Sequence, residues 1–101
     1  MRIPASIKVG GHTYKVIVKL GLWREAGNHG ESLHNLQEIR LETLQHSEML
    51  GAAFIHEILH CIDRVYNNHN LTEDVVDAIA EGLYQVLNDL GVTFTEPDRE
   101  G

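Results

Sequence analysis

The stretch from His56 to His60 reads His-Glu-Ile-Leu-His, and it constrains the chain most because it lies inside an apolar run over residues 49–62. Such a run predicts a buried helix. On a helix, residues four apart lie one above the other, about 6 Å apart, so the two imidazoles can bind one metal ion. Glu57 projects to the flank of this pair, where its carboxylate does not crowd the metal but can reach water beside it. Five residues therefore predict two ligands and a general base.

The alternative is that the two histidines lie on an ordinary helix and are satisfied by water or by a neighbouring carboxylate. However, burying two His and one Glu in an otherwise apolar helix costs free energy unless a metal or a polar group pairs with them. The metal-site interpretation is therefore preferred, provided that residues further along the chain supply a third ligand.

The length of 101 residues predicts a single domain over residues 1–101, with room for one site. The formal net charge is −7, and only eight Lys and Arg residues are scattered along the chain. Phosphate contacts need clustered basic side chains, so this balance argues against nucleic acid and anionic membrane surfaces as partners. In so small a protein, a homodimer that covers apolar surface stays an open alternative.

Cys61 is the single cysteine, so the chain forms no internal disulfide. The first residues carry alternating polar side chains rather than a continuous apolar segment, and we expect no signal peptide and no transmembrane helix. Both features favour a reducing, cytoplasmic setting. Cys61 itself is expected to be a small core residue rather than a nucleophile or a ligand.

Residues 7–18 predict a β-hairpin, because two runs of β-branched residues flank Gly10-Gly11. Residues 20–30 predict a loop or a short helical turn, and the partly alternating residues 31–43 predict one or two further strands. Together these segments predict a small antiparallel sheet of three or four strands. The polar stretch 29–34 suits an edge strand, which could hold an extended peptide by main-chain hydrogen bonds. An ordinary solvated edge strand is an equally good interpretation.

Two helices are expected after the sheet. Ser47 followed by Glu48 predicts a helix cap with an acidic first turn, and apolar positions continue this helix to about Arg64 or Tyr66. This is the helix that carries the two histidines of the motif. The Asn-rich residues 67–70 then predict a turn.

The second helix is expected to begin near Leu71 or Thr72 and to end at a cap formed by Gly91. Its apolar side chains recur at helical spacing: Val76, Ile79, Leu83, Val86, Leu87 and Leu90. The chain thus predicts an α+β fold, with the sheet in about residues 1–46, the two helices in about 47–90 and a loosely held tail in 91–101.

A tetrahedral catalytic zinc takes three protein ligands and one water, so the histidine pair needs a third partner. The second helix offers three carboxylates: Glu73, Asp77 and Glu81. If the first helix runs straight through Tyr66, matched heights across an antiparallel helix pair favour Asp77 or Glu81. If it ends about one turn after His60, Glu73 stands level with the histidines. The spacing alone leaves all three open.

Residues 73–83 read Glu-x-x-Val-Asp-x-Ile-Ala-x-x-Leu, and together with the His-Glu-x-x-His motif this resembles the gluzincin metallopeptidases. In that family, a glutamate helix provides the third zinc ligand. The chain is especially similar to the very small bacterial and phage-type members and to the metallopeptidase domains that cleave repressors. The resemblance covers residues 47–90, and it covers the sheet only through its order in the chain.

The resemblance implies zinc-dependent cleavage of a peptide or protein substrate. In such a reaction, zinc lowers the pKa of water towards neutrality, and a carboxylate accepts the proton and later delivers it to the leaving amine. Carried over by position, the implied roles are Zn²⁺ ligation by His56, His60 and Glu73, general-base catalysis by Glu57, and support of one zinc histidine by Asp77.

Two features depart from the gluzincin pattern. The gap between His60 and Glu73 is short, and the chain has no clear counterpart of the downstream His or Tyr that stabilises the oxyanion in larger members. Tyr66 and Tyr84 are the nearest candidates, although each is more typical of a core or rim aromatic. The remaining histidines lie in expected loops or strand faces and are expected to be solvent-exposed: His12, His29, His34, His46 and His69.

Two alternatives to an active peptidase stay open. A non-catalytic zinc-binding domain with a regulatory or interaction role could keep the site for folding, because a closed metal site contributes much of the stability of a domain this small. In a latent enzyme, the acidic tail over residues 96–100 would fold back and occupy the water position at the metal.

Overall fold

The computed structural model of the chain describes residues 1–20, 29–43 and 47–95, with the side chain of Ser47 left out. Its elements are β1 (Ser6–Val9), β2 (His12–Lys19), β3 (Gly30–Leu33), β4 (Glu38–Glu42), α1 (Ser47–Tyr66) and α2 (Glu73–Asp89). The predicted α+β class is confirmed. The predicted loop or helical turn falls mostly on residues 21–28, outside the described residues, as do the cap role of the Ser47 side chain and the acidic tail.

The four strands form one sheet in the order β1-β2-β4-β3. Two antiparallel hairpins, β1–β2 and β3–β4, form as local pairs. The hairpins join through β2 and β4, which run parallel, with Lys15 opposite Glu38 and Lys19 opposite Glu42. The prediction of an antiparallel sheet was therefore wrong for this pair. Alternation of apolar residues identifies a strand and its buried face, but it does not encode the direction of a distant neighbour.

Helix α1 lies against one face of the sheet and closes the core. Alternate residues of β2 and β4 face the helix, and positions four to seven apart on α1 face the sheet, as each periodicity requires. The core residues of these three elements are Tyr14, Val16, Ile39, Leu41, Leu50, Phe54 and Cys61. Cys61 is fully buried, which confirms its predicted place as a small core residue.

Helix α2 packs on α1 through Val76 and Ala80, which are buried. Thr72 caps its N-terminus by accepting a hydrogen bond from Val75 N. Its other large apolar side chains are mostly exposed, so only part of the predicted apolar stripe faces the core: Ile79, Leu83, Val86 and Leu90.

The predicted C-terminal cap of α2 is confirmed. Gly91 has a φ of +85°. Gly91 N donates to Asn88 O, and Val92 N donates to Leu87 O. This pair of bonds is the Schellman pattern, in which a left-handed glycine reverses the chain after the last turn.

The predicted loose tail is wrong for residues 92–95. Phe94 packs edge-on against Phe54, with ring centroids 5.6 Å apart. Thr95 exchanges main-chain hydrogen bonds with the N-terminal segment, accepting from Ile3 N and donating to Met1 O. An aromatic side chain in the core and a short pairing of the two chain ends hold this segment. In the described part of the chain, no helix combines the length and the apolar character needed to cross a bilayer.

Replacing Gly10 by alanine is expected to destabilise the hairpin that carries β1 and β2. Gly10 has a φ of +62°, and a Cβ built there would lie 2.7 Å from Val65 Cγ1 on α1. A left-handed backbone costs an L-residue about 1–2 kcal/mol, and the contact with α1 adds to that cost. Urea denaturation measures the loss. Gly11→Ala is the matched control, because a Cβ at Gly11 meets nothing within 4 Å; equal midpoints for the two variants would contradict the expectation.

Candidate metal centre

Consecutive turns of α1 carry His56 and His60, and the structure brings the two rings together as the four-residue spacing predicts. The ring centroids lie 4.8 Å apart and the two Nε2 atoms 3.1 Å apart. Both side chains are mostly buried. Two imidazole nitrogens this close cannot present lone pairs to each other without repulsion, so they share a proton or bind one cation.

The carboxylate of Glu73 meets both histidines from the N-terminus of α2. Its Oε1 lies 2.8 Å from His56 Nε2, and its Oε2 lies 3.0 Å from His60 Nε2. One ligand atom from each of these three side chains lies within 4.8 Å of the others. The group formed by His56, His60 and Glu73 can therefore hold a metal ion.

Asp77 lies on the other side of the His56 ring, one helical turn after Glu73. Its Oδ1 is 3.0 Å from His56 Nδ1. A carboxylate at this position accepts a hydrogen bond from Nδ1–H, so Nε2 keeps its lone pair for the group shared with His60 and Glu73. Glu81, the third carboxylate considered from the sequence, lines the same cavity but is not part of this group.

The contact between Glu73 and the two histidines differs from the expectation based on matched heights along the two helices. Helix α1 does run through Tyr66, which favoured Asp77 or Glu81 as the third ligand, yet Glu73 reaches the pair. The reason is that residues 67–72 fold back along α1 instead of leading directly into α2. His69 N donates to Asp63 O, and Leu71 N donates to the Asp63 carboxylate. Asp63 is about 4.5 Å along the helix from His60, so Glu73 starts α2 near the histidines.

The buried carboxylate of Asp63 holds this folded-back loop. Its Oδ1 accepts hydrogen bonds from Asn67 Nδ2, Asn70 N and Leu71 N at 3.0 to 3.2 Å. Burial alone would raise the pKa of Asp63, but the hydrogen bonds from Asn67, Leu71 and Asn70 outweigh it, so the pKa lies below its ordinary value of 3.8. Sequence reasoning missed this residue. The signal was a single Asp late in the apolar run, followed by an Asn-rich turn.

Glu57 is buried, with 6% of its surface exposed, and its Oε1 accepts a hydrogen bond from Ser32 Oγ at 2.9 Å. Burial raises the pKa of Glu57 above its ordinary value of 4.5, against the opposing effects of the Ser32 hydrogen bond and the nearby His56 and His60. Ser32 belongs to β3 and was not anticipated from the sequence, because no local pattern links it to a helix residue 25 positions later.

A cavity of about 890 Å³ lies between β3 and the two helices. Strand β3 is the terminal strand of the described sheet, as predicted for the polar stretch 29–34. The polar side chains that line the cavity come from β3 and the residues beside it, from both helices and from the loop between them: His29, Glu31, Ser32, His34, His56, Glu57, His60, His69, Glu73, Asp77 and Glu81. The site is thus an open cleft with one wall made by a sheet edge.

The expected exposure of the remaining histidines is only partly correct. His12 and His69 are exposed, whereas His29 and His34 are half-buried; His46 lies outside the described residues. His34 Nδ1 lies 3.3 Å from the hydroxyl of buried Tyr14. The expectation of solvent exposure was wrong for His29 and His34, which both line the cavity beside α1.

Neither tyrosine considered for oxyanion stabilisation lines the cavity. Tyr66 is 69% exposed, and its hydroxyl lies near the hairpin turn at Gly10. Tyr84 lies against α1 at Gly51, where burial and nearby Glu48 raise the pKa of its phenol.

Comparison with known proteins finds no matching family model, no matching curated protein and no matching solved structure. The similarity to gluzincins therefore stays a resemblance carried by the motif residues.

Removing Glu73 is expected to lower the affinity of the site for Zn²⁺ more than removing any other carboxylate of α2. Glu73→Ala deletes a carboxylate whose two oxygens contact the two histidines, whereas Asp77→Ala deletes a partner of one histidine and is expected to cost about 10–100-fold in affinity. Zinc titration by calorimetry, with competition by a chelator, measures the affinities. Glu81→Ala is the matched control and should bind as the unaltered protein does; a weaker affinity in Glu81→Ala than in Glu73→Ala would contradict the assignment.

The contribution of Asp63 to stability is expected to depend on pH. Because its folded-state pKa is lowered, the stability it provides is fully present above its ordinary value of 3.8 and is lost as the pH falls through the folded-state pKa. Metal-free protein and the Asp63→Asn variant are compared by denaturant midpoint from pH 7 to pH 3. The difference should be largest near neutrality and should shrink below about pH 4. A difference that stays constant over this range would refute the role given to the ionised carboxylate.

Proposed function

We propose that this protein is a zinc-dependent peptidase that hydrolyses a peptide bond with Glu57 as general base. The observation that carries the proposal is the position of the Glu57 carboxylate. It is buried, held by Ser32, and borders the same cleft as the group of His56, His60 and Glu73. A proton acceptor fixed beside a metal group in an open cleft is the arrangement that metal-assisted hydrolysis requires.

Zinc fits the donor set. Two imidazole nitrogens and one carboxylate oxygen are typical ligands of catalytic zinc. The Nε2 atoms of His56 and His60 lie 3.1 Å apart, and each lies 2.8 to 3.0 Å from one oxygen of Glu73. Side chains this close could hold one small cation. When bound, zinc lowers the pKa of water and polarises a carbonyl oxygen.

The residues of the chain then supply positioning and proton transfer. Glu57 accepts a proton from the water whose oxygen attacks the scissile carbonyl carbon. As the carbon–nitrogen bond breaks, Glu57 delivers the proton to the leaving nitrogen, so one water and one peptide bond yield a carboxylic acid and an amine, which ionise to a carboxylate and an ammonium group. Ser32 holds one carboxylate oxygen of Glu57 throughout, while Asp77 orients the His56 ring.

The substrate that suits this cleft is an extended peptide. Strand β3 is the terminal strand of the described sheet and forms one wall of the cleft. A peptide that adds alongside β3 would make main-chain hydrogen bonds and pass over the metal group. This supports a peptide or protein substrate over a small molecule without an extended backbone.

Replacing Glu57 by glutamine is expected to leave zinc binding intact and to lower the rate of peptide cleavage by about 10²–10⁴-fold, the usual contribution of a positioned general base. The amide keeps the shape and can still accept from Ser32, but it cannot take up a proton at neutral pH. Cleavage of fluorescein-labelled casein by zinc-loaded protein measures the rate, with zinc content determined on the same samples.

Glu81→Gln is the matched control, since Glu81 lines the cleft outside the metal group. A Glu57→Gln protein as active as this control would contradict the proposed mechanism. If unaltered zinc-loaded protein neither cleaves casein nor binds a hydroxamate, the site is closed, and the non-catalytic zinc-binding domain is the better explanation.

A further inference from the structure

One row of residues on β3 faces the cleft. Side chains two apart on a strand lie on the same side, about 7 Å from each other. Ser32 donates to Glu57, and a Cβ at Gly30 would lie 3.4 Å from Glu57 Cγ, so this row lies over α1 at Glu57. His34 is the first residue after β3, at the start of the β3–β4 turn, and it also lines the cleft.

His34 shares the cleft with the side chains of the candidate metal centre. The same cavity is lined by His34, by Glu57 and His60 on α1, and by Glu73 on α2. A substrate bound in this cleft can therefore contact His34 and the group of His56, His60 and Glu73 together.

Tyr14 contacts the His34 ring from the hydrophobic core. Its side chain is 2% exposed in the core, and its hydroxyl lies 3.3 Å from His34 Nδ1. The two rings meet edge to face at 87°. Burial of His34, together with the nearby positive charge of Arg64, lowers the pKa of the imidazole and favours its neutral form. The 3.3 Å contact fits a phenol that donates to Nδ1 or one that accepts from Nδ1–H; in the first case, the neutral ring carries its proton on Nε2.

We propose that His34 donates a hydrogen bond from Nε2 to the carbonyl oxygen of the scissile peptide bond and stabilises the negative charge that develops there. Tyr14 is the positioning residue that fixes this tautomer. The inference rests on the proposed peptidase function and identifies a donor for the oxyanion, a role that neither Tyr66 nor Tyr84 can take from its place outside the cleft.

The position of the proton on the His34 ring is tested first, because this experiment needs no substrate. Long-range ¹⁵N–¹H correlation spectra of the histidine side chains distinguish a proton on Nε2 from one on Nδ1. His34, assigned by its absence from the spectrum of His34→Ala, should carry its proton on Nε2. In Tyr14→Phe, it should become a mixture of the two tautomers while the thermal midpoint shows that the protein is folded. A proton on Nδ1 in the unaltered protein overturns the inference.

Kinetics on a casein-derived peptide test the role itself. His34→Ala should lower kcat by about 10²-fold, the usual loss of one oxyanion donor, and change KM by less than about threefold. His34→Gln should recover part of kcat, because an amide N–H can replace the imidazole donor. His12→Ala is the matched control, since His12 is exposed and lies outside the cleft, and its kcat should be unchanged.

The outcomes separate this inference from the proposed function. A His34→Ala protein with an unchanged kcat, or with a change only in KM, would overturn the role of His34 and leave the proposed zinc peptidase function intact. A zinc-loaded wild-type protein that cleaves no peptide overturns both. Loss of kcat in His34→Ala with recovery in His34→Gln supports both together.

Discussion

The geometry of the site depends on the buried carboxylate of Asp63. Its hydrogen bonds to the loop between the helices hold residues 67–72 back along α1, and α2 then begins beside His56 and His60. A comparison of heights along two straight helices had instead favoured Asp77 or Glu81. A single ionised side chain, satisfied by three donors, thus selects which carboxylate of α2 meets the metal group.

The second contact on which the site depends crosses from sheet to helix. Ser32 on the edge strand donates to Glu57 on α1, so the same strand that forms one wall of the cleft also holds the Glu57 carboxylate. The parallel pairing of β2 with β4 contributes to this arrangement, because it puts β3 at the sheet edge beside α1. Fold topology and site chemistry are therefore linked through one short strand.

Much of the metal group was predictable from local sequence. The apolar run around His56 and His60 predicted a helix, and their four-residue spacing puts both side chains on one face of it. Glu73 was reached through a resemblance to a known pattern, since spacing left Asp77 and Glu81 open. Ser32, Asp63 and the half-buried His34 were missed. Each acts through a partner from another element or through main-chain groups of a loop, which residue spacing does not reveal.

The sequence by itself determined the first hairpin, the two helices, the C-terminal cap at Gly91 and the motif histidines on one helical face. These follow from periodicities and turn residues that act over a few positions. The tertiary structure alone decided which way the hairpins join, where α2 begins relative to α1, and which side chains meet Glu57. Those outcomes are set by packing and hydrogen bonds between distant residues, for which no local pattern carries the information.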